Sequence, residues 1–205
     1  MSILAEKLSK LAQSSSTPAR RNRISVTDIR RWGDYVSSKT PTYHDTRPFY
    51  IVKLPENTEI TGENGKVIRT TSKDNPIAFV GAKTGEMGVG KKQDFLIMFE
   101  KFIPSLSDIN EWNEREKNLT PEDRRLINDY VKRDVSYDER SFQMQEEAKA
   151  DLYKKLIKNR DKLIRAIEDE KQYQAKSPEE KLMYNTKQKL YRREQHRQAA
   201  VTRGL

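Results

Sequence analysis

The stretch from Pro76 to Ile103 constrains this chain more than any other. It runs Pro76-Ile-Ala-Phe-Val80, then a segment holding Gly81, Gly85, Gly88 and Gly90, then Lys91-Lys92. The densest apolar run follows, Phe95-Leu-Ile-Met-Phe99 with Phe102 and Ile103. Before this stretch the apolar residues come in short β-forming runs, and after it nearly everything is charged helical sequence. A sheet therefore belongs to the first half and helices to the second.

The same stretch holds the one motif that names an activity. Gly85-x-x-x-x-Gly90-Lys91 has the spacing of a phosphate-binding P-loop and follows a candidate strand. That motif continues with a Ser or Thr whose hydroxyl helps hold Mg²⁺, and here the next residue is Lys92. The fold also requires further parallel strands, which read as Val/Ile/Leu runs when both faces are buried. None follows residue 103. Gly85, Gly90 and Lys91 are thus nucleotide-binding candidates on spacing alone. The competing reading is a turning loop between the last strand and a buried helix over 94–103, with no tight nucleotide binding.

The strand signals are Phe49-Tyr-Ile-Val-Lys-Leu54, Lys66–Thr71 after the Asn64-Gly65 hairpin pair, and Pro76–Val80. They predict a small antiparallel sheet over about 48–82, packed by the 94–103 helix and by a helix over 26–37. Ser25 and Asp28 form a capping box for the latter, with Ile24 stapled on Ile29. Ile29, Trp32 and Val36 make one apolar stripe along it.

The second half opens with Ser107 capping a segment that contains Ile109 and Trp112. Thr120-Pro121-Glu122-Asp123 then starts a helix, proline in its first turn and acids at the positive end of the dipole. Leu126, Ile127, Tyr130 and Val131 fall within about 140° at 100° per residue. A single long helix over 143–173 is predicted next, because Leu152, Tyr153, Leu156, Ile157, Leu163, Ile164 and Ile167 also fall within about 140°. Ser177-Pro178-Glu179-Glu180 starts the last helix, running to about Ala200. Along it Met183, Tyr184, Leu190 and Tyr191 share about 120°, with Lys181, Lys189, Arg192, Arg193 and Arg197 over about 160° opposite.

The expected fold class is α+β, mainly α: a small antiparallel sheet packed by helices, then an extended, highly charged helical half. The expected divisions are an N-terminal amphipathic helix and basic linker (1–24), an α+β body (25–106) and a helical region (107–205). Apolar residues make up 34% of the 205 and charged ones 35%, against about 45–50% and 25% in ordinary domains. Such a chain fills only a modest core, so elongation or a core completed against a partner is expected.

Several function classes lose support at once. There is no cysteine, so disulfides, thiolate metal sites and thiol nucleophiles are out. His44 and His196 stand far apart. No apolar run approaches the roughly 20 residues of a membrane span. The acids sit among lysines and arginines, where raised pKa values are not expected. The reading is a soluble intracellular protein, of cytoplasm or virion, that is no enzyme and uses no cofactor, metal, membrane or small-molecule substrate.

Charge points to partners instead. The net charge is +9. Residues 1–47 carry nine Lys/Arg against four Asp/Glu, and residues 178–205 carry seven against three, while the middle sums to zero. Basic ends on a neutral middle suit an anionic polymer. Near the N-terminus Ile3, Leu4, Leu8 and Leu11 share a helix face; Ser14–Pro18 breaks it, and Arg20, Arg21 and Arg23 follow. A basic, Ser-rich start of this kind also fits organelle import, although Glu6 counts against it. The expectation is a structural or assembly protein of virion-internal, scaffolding or ribosome-associated type, held in a larger assembly with protein partners. It would bind nucleic acid non-specifically through phosphates at Arg20, Arg21, Arg23, Lys189, Arg192, Arg193 and Arg197. Leu4, Leu8, Leu11, Leu190 and Tyr191 would meet protein partners. The alternative is a regulator that binds a large machine such as a polymerase through its N-terminal helix.

Overall fold

The computed structural model describes residues 22–36, 48–91, 103–136 and 141–203. The segments carrying Leu4, Leu8, Leu11, Arg20 and Arg21, and the 94–102 run expected to be helical, lie outside the described residues. The chain divides into two compact units, Met1–Asn110 and Glu111–Leu205. The fold is α+β and mainly α, as the residue patterns predict.

The first unit is built on two small sheets rather than one. Strands β1 (Arg23–Ser25), β4 (Glu59–Thr61) and β5 (Val67–Thr70) form a three-stranded sheet in the order β1-β4-β5. β1 runs parallel to β4, and β4 antiparallel to β5. Strands β2 (Asp34–Val36), β3 (Phe49–Lys53), β6 (Ile77–Gly81) and β7 (Met87–Gly90) form an antiparallel sheet in the order β2-β3-β6-β7. Three of these seven strands lie outside the 48–82 window, because β1, β2 and β7 are too short to show a periodicity.

The first helix, α1 (Val26–Trp32), begins as its cap predicts: Ser25 Oγ accepts from the Asp28 amide at 3.0 Å and donates to Asp28 Oδ2 at 2.7 Å. It ends five residues short of the expected 37. Gly33 closes it, its amide bonded to Ile29 O at 2.8 Å. A Cβ at Gly33 would meet that oxygen at 2.4 Å. Val36 therefore sits on β2, paired with Phe49, and not on the helix. Ile29 and Trp32 are fully buried, as are Ile51 and Val52, neighbours that point to opposite faces of β3. Ile51, Ile77 and Val36 gather Phe49, Phe79 and Ile103 on one face.

The second unit is helical. α2 (Leu106–Lys117) leads into it, capped by Ser105 rather than Ser107. Ser105 N donates to Asp108 Oδ2 at 2.8 Å, while Asp108 N donates to Ser105 Oγ at 3.3 Å. α3 (Pro121–Ser136) buries Leu126, Ile127, Val131 and Val135. The expected long helix is two, α4 (Phe142–Lys158) and α5 (Arg160–Gln174), broken at Asn159. Asn159 is extended (φ −113°, ψ 99°) and its side chain accepts from the Lys162 amide, so it ends one helix and caps the next. The break moves Ile164 out of the predicted stripe, leaving it 43% exposed, while Leu156, Ile157, Leu163 and Ala166 stay buried. Arg115 closes the carbonyl end of α4, donating to Ile157 O at 3.0 Å and Lys158 O at 2.7 Å.

Candidate nucleic-acid interface

The last helix, α6 (Pro178–Arg203), carries most of the predicted cations. Its start is a reciprocal capping box: Glu180 N donates to Ser177 Oγ at 3.2 Å and Ser177 N to Glu180 Oε2 at 2.8 Å. The bond from the Ser177 backbone, then that from its hydroxyl, then Lys176, hold the Glu180 carboxyl below its ordinary range.

The docked side of α6 is polar and aromatic, not its apolar side. Asn185 Nδ2 donates to Tyr173 Oη at 2.9 Å, and the Tyr184 and Tyr173 rings lie 5.6 Å apart. Lys181 Nζ donates to Gln174 O at 3.0 Å. Below them the Arg133 guanidinium lies 4.1 Å from the Tyr173 centroid and 2.5 Å from Glu170 Oε2. Glu170 Oε1 accepts from Gln174 Nε2 at 2.6 Å. Burial, with the neighbouring charges of Asp134 and Asp169, pushes the Tyr130 hydroxyl pKa up. Arg192, one of the predicted phosphate contacts, is part of this docking: its guanidinium donates to Asp134 Oδ1 at 2.6 Å. Distance between Arg192 and Asp134 in the sequence hid that pairing.

The other predicted cations of α6, Lys189, Arg193 and Arg197, are exposed on the same helix. Lys187 is exposed too, but about 160° around the helix from Lys189 at 100° per residue. From Thr186 to Val201 the only acid is Glu194. Leu190 and Tyr191 are 60% and 61% exposed, with Tyr191 Oη accepting from Gln195 at 2.8 Å.

Arg23 belongs to the first unit and not to a free arm. It lies on β1, and its guanidinium donates through two nitrogens to Glu59 Oε2, at 2.7 and 3.2 Å. Arg23 is thus part of a strand paired with β4, two residues before the expected boundary, and its side chain remains 61% exposed.

The glycine segment has the wrong geometry for a phosphate cradle. Residues 82–86 are the turn of the β6–β7 hairpin, in which Gly85 takes φ +70° and Glu86 O accepts from the Gly81 amide at 2.7 Å. Gly85 lies in that turn and Gly90 is the last residue of β7, opposite Ile77, with Gly88 opposite Phe79. Gly88 makes room for an aromatic ring, since a Cβ there would meet Phe79 Cζ at 2.5 Å. The backbone that a P-loop turns toward phosphates lies instead in an antiparallel ladder, and Lys91 directly follows the end of that strand.

Among the described residues no group of His, Asp and Glu is placed to hold a metal ion, and no helix is long and apolar enough to cross a membrane. Comparison with protein-family models, curated proteins and solved structures finds no match.

Proposed function

We propose that this chain is a non-enzymatic assembly protein that binds nucleic acid through phosphates, with α6 as the contact. The supporting observation is the exposed set Lys189, Arg193 and Arg197 within about 80° of one side of a helix anchored through another side. Guanidinium forks bond two phosphate oxygens at once, and a helix held at Tyr173 and Asp134 presents them without first having to order. The contacts carry no base recognition, so the binding is sequence-independent and salt-sensitive. A place inside a nucleoprotein assembly follows from that chemistry, with Tyr191 available to other protein surfaces.

The test is titration of the full chain with duplex DNA and with RNA across a salt series. Replacing Lys189, Arg193 and Arg197 with glutamine is expected to flatten the slope of log affinity against log salt by about two to three, at roughly 0.7–0.9 per contact. Arg192→Gln is expected to leave the slope nearly unchanged, because Asp134 already neutralises that charge. Equal slopes for the triple variant and the parent would remove α6 from the interface. Absence of binding by the parent at about 50 mM salt would remove nucleic acid altogether.

A further inference from the structure

We propose that α6 pairs with α6 of a second copy of this chain, antiparallel, along the side turned away from its own unit. Lys181, Tyr184, Asn185 and Arg192 define the docked side. Opposite them Glu179, Met183, Thr186, Leu190, Arg193 and Arg197 follow one another in alternating steps of four and three. That is the spacing of a two-helix seam. All six are exposed, Met183 to 73% and Leu190 to 60%. Thr186 fits an apolar seam because its hydroxyl already donates to Leu182 O at 2.8 Å.

The order of residue types along the seam selects the occupant. The seam begins with an acid, is apolar in the middle and ends in cations. A parallel copy would set Glu179 on Glu179 and Arg197 on Arg197, which is repulsive. An antiparallel copy, its two-fold axis at the level of Gln188, sets Glu179 opposite Arg197 at both ends. Met183 then packs on the methylene stem of Arg193, whose guanidinium stays at the rim, and Thr186 meets Leu190 at the centre. This is the self-complementarity an isologous interface needs. Nucleic-acid phosphates would engage only the cationic C-terminal end of this side, and an anionic surface laid along the whole seam would repel Glu179. The pairing does not rest on nucleic-acid binding, although Arg197 gives its guanidinium and Arg193 its methylene stem to the seam as well.

Sedimentation velocity of the full chain over a concentration series, without nucleic acid, tests it. The parent is expected to show a monomer–dimer equilibrium. Glu179→Arg alone and Arg197→Glu alone should each raise the dissociation constant about tenfold or more, since each variant sets like charges at both ends. An equimolar mixture of the two should regain the parent's dimer, because antiparallel pairing then sets Arg against Glu at each end. Leu190→Asp should yield monomer with unchanged helicity, its side chain being exposed in the single chain. A parent that stays monomeric to high concentration would overturn the proposal. So would a dimer indifferent to Leu190→Asp, or a mixture that pairs no better than the single variants.

Discussion

Glu170 is 1% exposed, and its carboxylate meets Arg133 while that guanidinium lies against Tyr173. Removing one charge of a buried pair strands the other, which costs more than the pair itself contributes. Glu170→Ala is therefore expected to lower stability to urea by about 3–5 kcal/mol, whereas Arg133→Met with Glu170→Leu should recover most of it. A double variant as unstable as the single would show that the pair stabilises beyond its own desolvation. Glu180 behaves differently because it is fully exposed. Its folded pKa lies below the ordinary 4.5, so its carboxylate form adds stability above that pH. The contribution is lost as pH falls through the lowered folded value. NMR titration of its side chain should give a midpoint under 4.5 that rises only part of the way back in Ser177→Ala, which removes the hydroxyl and keeps the backbone donor.

At the scale of elements, short polar devices decide where helices stop. Asn159 interrupts what periodicity reads as one helix, and its side chain caps α5 through the Lys162 amide. Asn159→Ala should cost about 1 kcal/mol, the usual loss for an N-cap, measured by thermal unfolding. Leu156, just before the break, is 4% exposed. Leu156→Asp is expected to cost more than about 3 kcal/mol, because it buries an unpaired charge. A melting temperature unchanged by that substitution would mean that α4 does not pack through Leu156.

The molecule as a whole has two units with separate cores: Ile29, Trp32, Ile51 and Val52 in one, Ile127, Val131, Leu156 and Ile157 in the other. Destabilising one core should leave the other's local protection in place. Hydrogen exchange on Leu156→Asp is thus expected to lose protection in α3, α4 and α5 and to keep it in β3 and β6. Equal loss in both units would show that they unfold together. The +9 charge acts at this scale too, since its excess lies at the chain's two ends rather than around either core.

What the sequence by itself determined is what local chemistry dictates. The starts at Ser25, Thr120 and Ser177 are legible because capping needs only neighbours within a turn, and the apolar set of α3 because it recurs within one uninterrupted helix. The class α+β, mainly α, follows from those signals, as does the collection of cations on α6. Tertiary structure alone decided the rest. Strands as short as β1, β2 and β7 exist only because β4, β3 and β6 supply their hydrogen bonds, and no periodicity announces three or four residues. Gly88 is explained by the Phe79 ring across the ladder, a partner nine positions away. The face of α6 that docks was chosen by Tyr173, Arg133 and Asp134 on other helices. A helical wheel shows which residues share a side, but which side is buried depends on the surface that meets it.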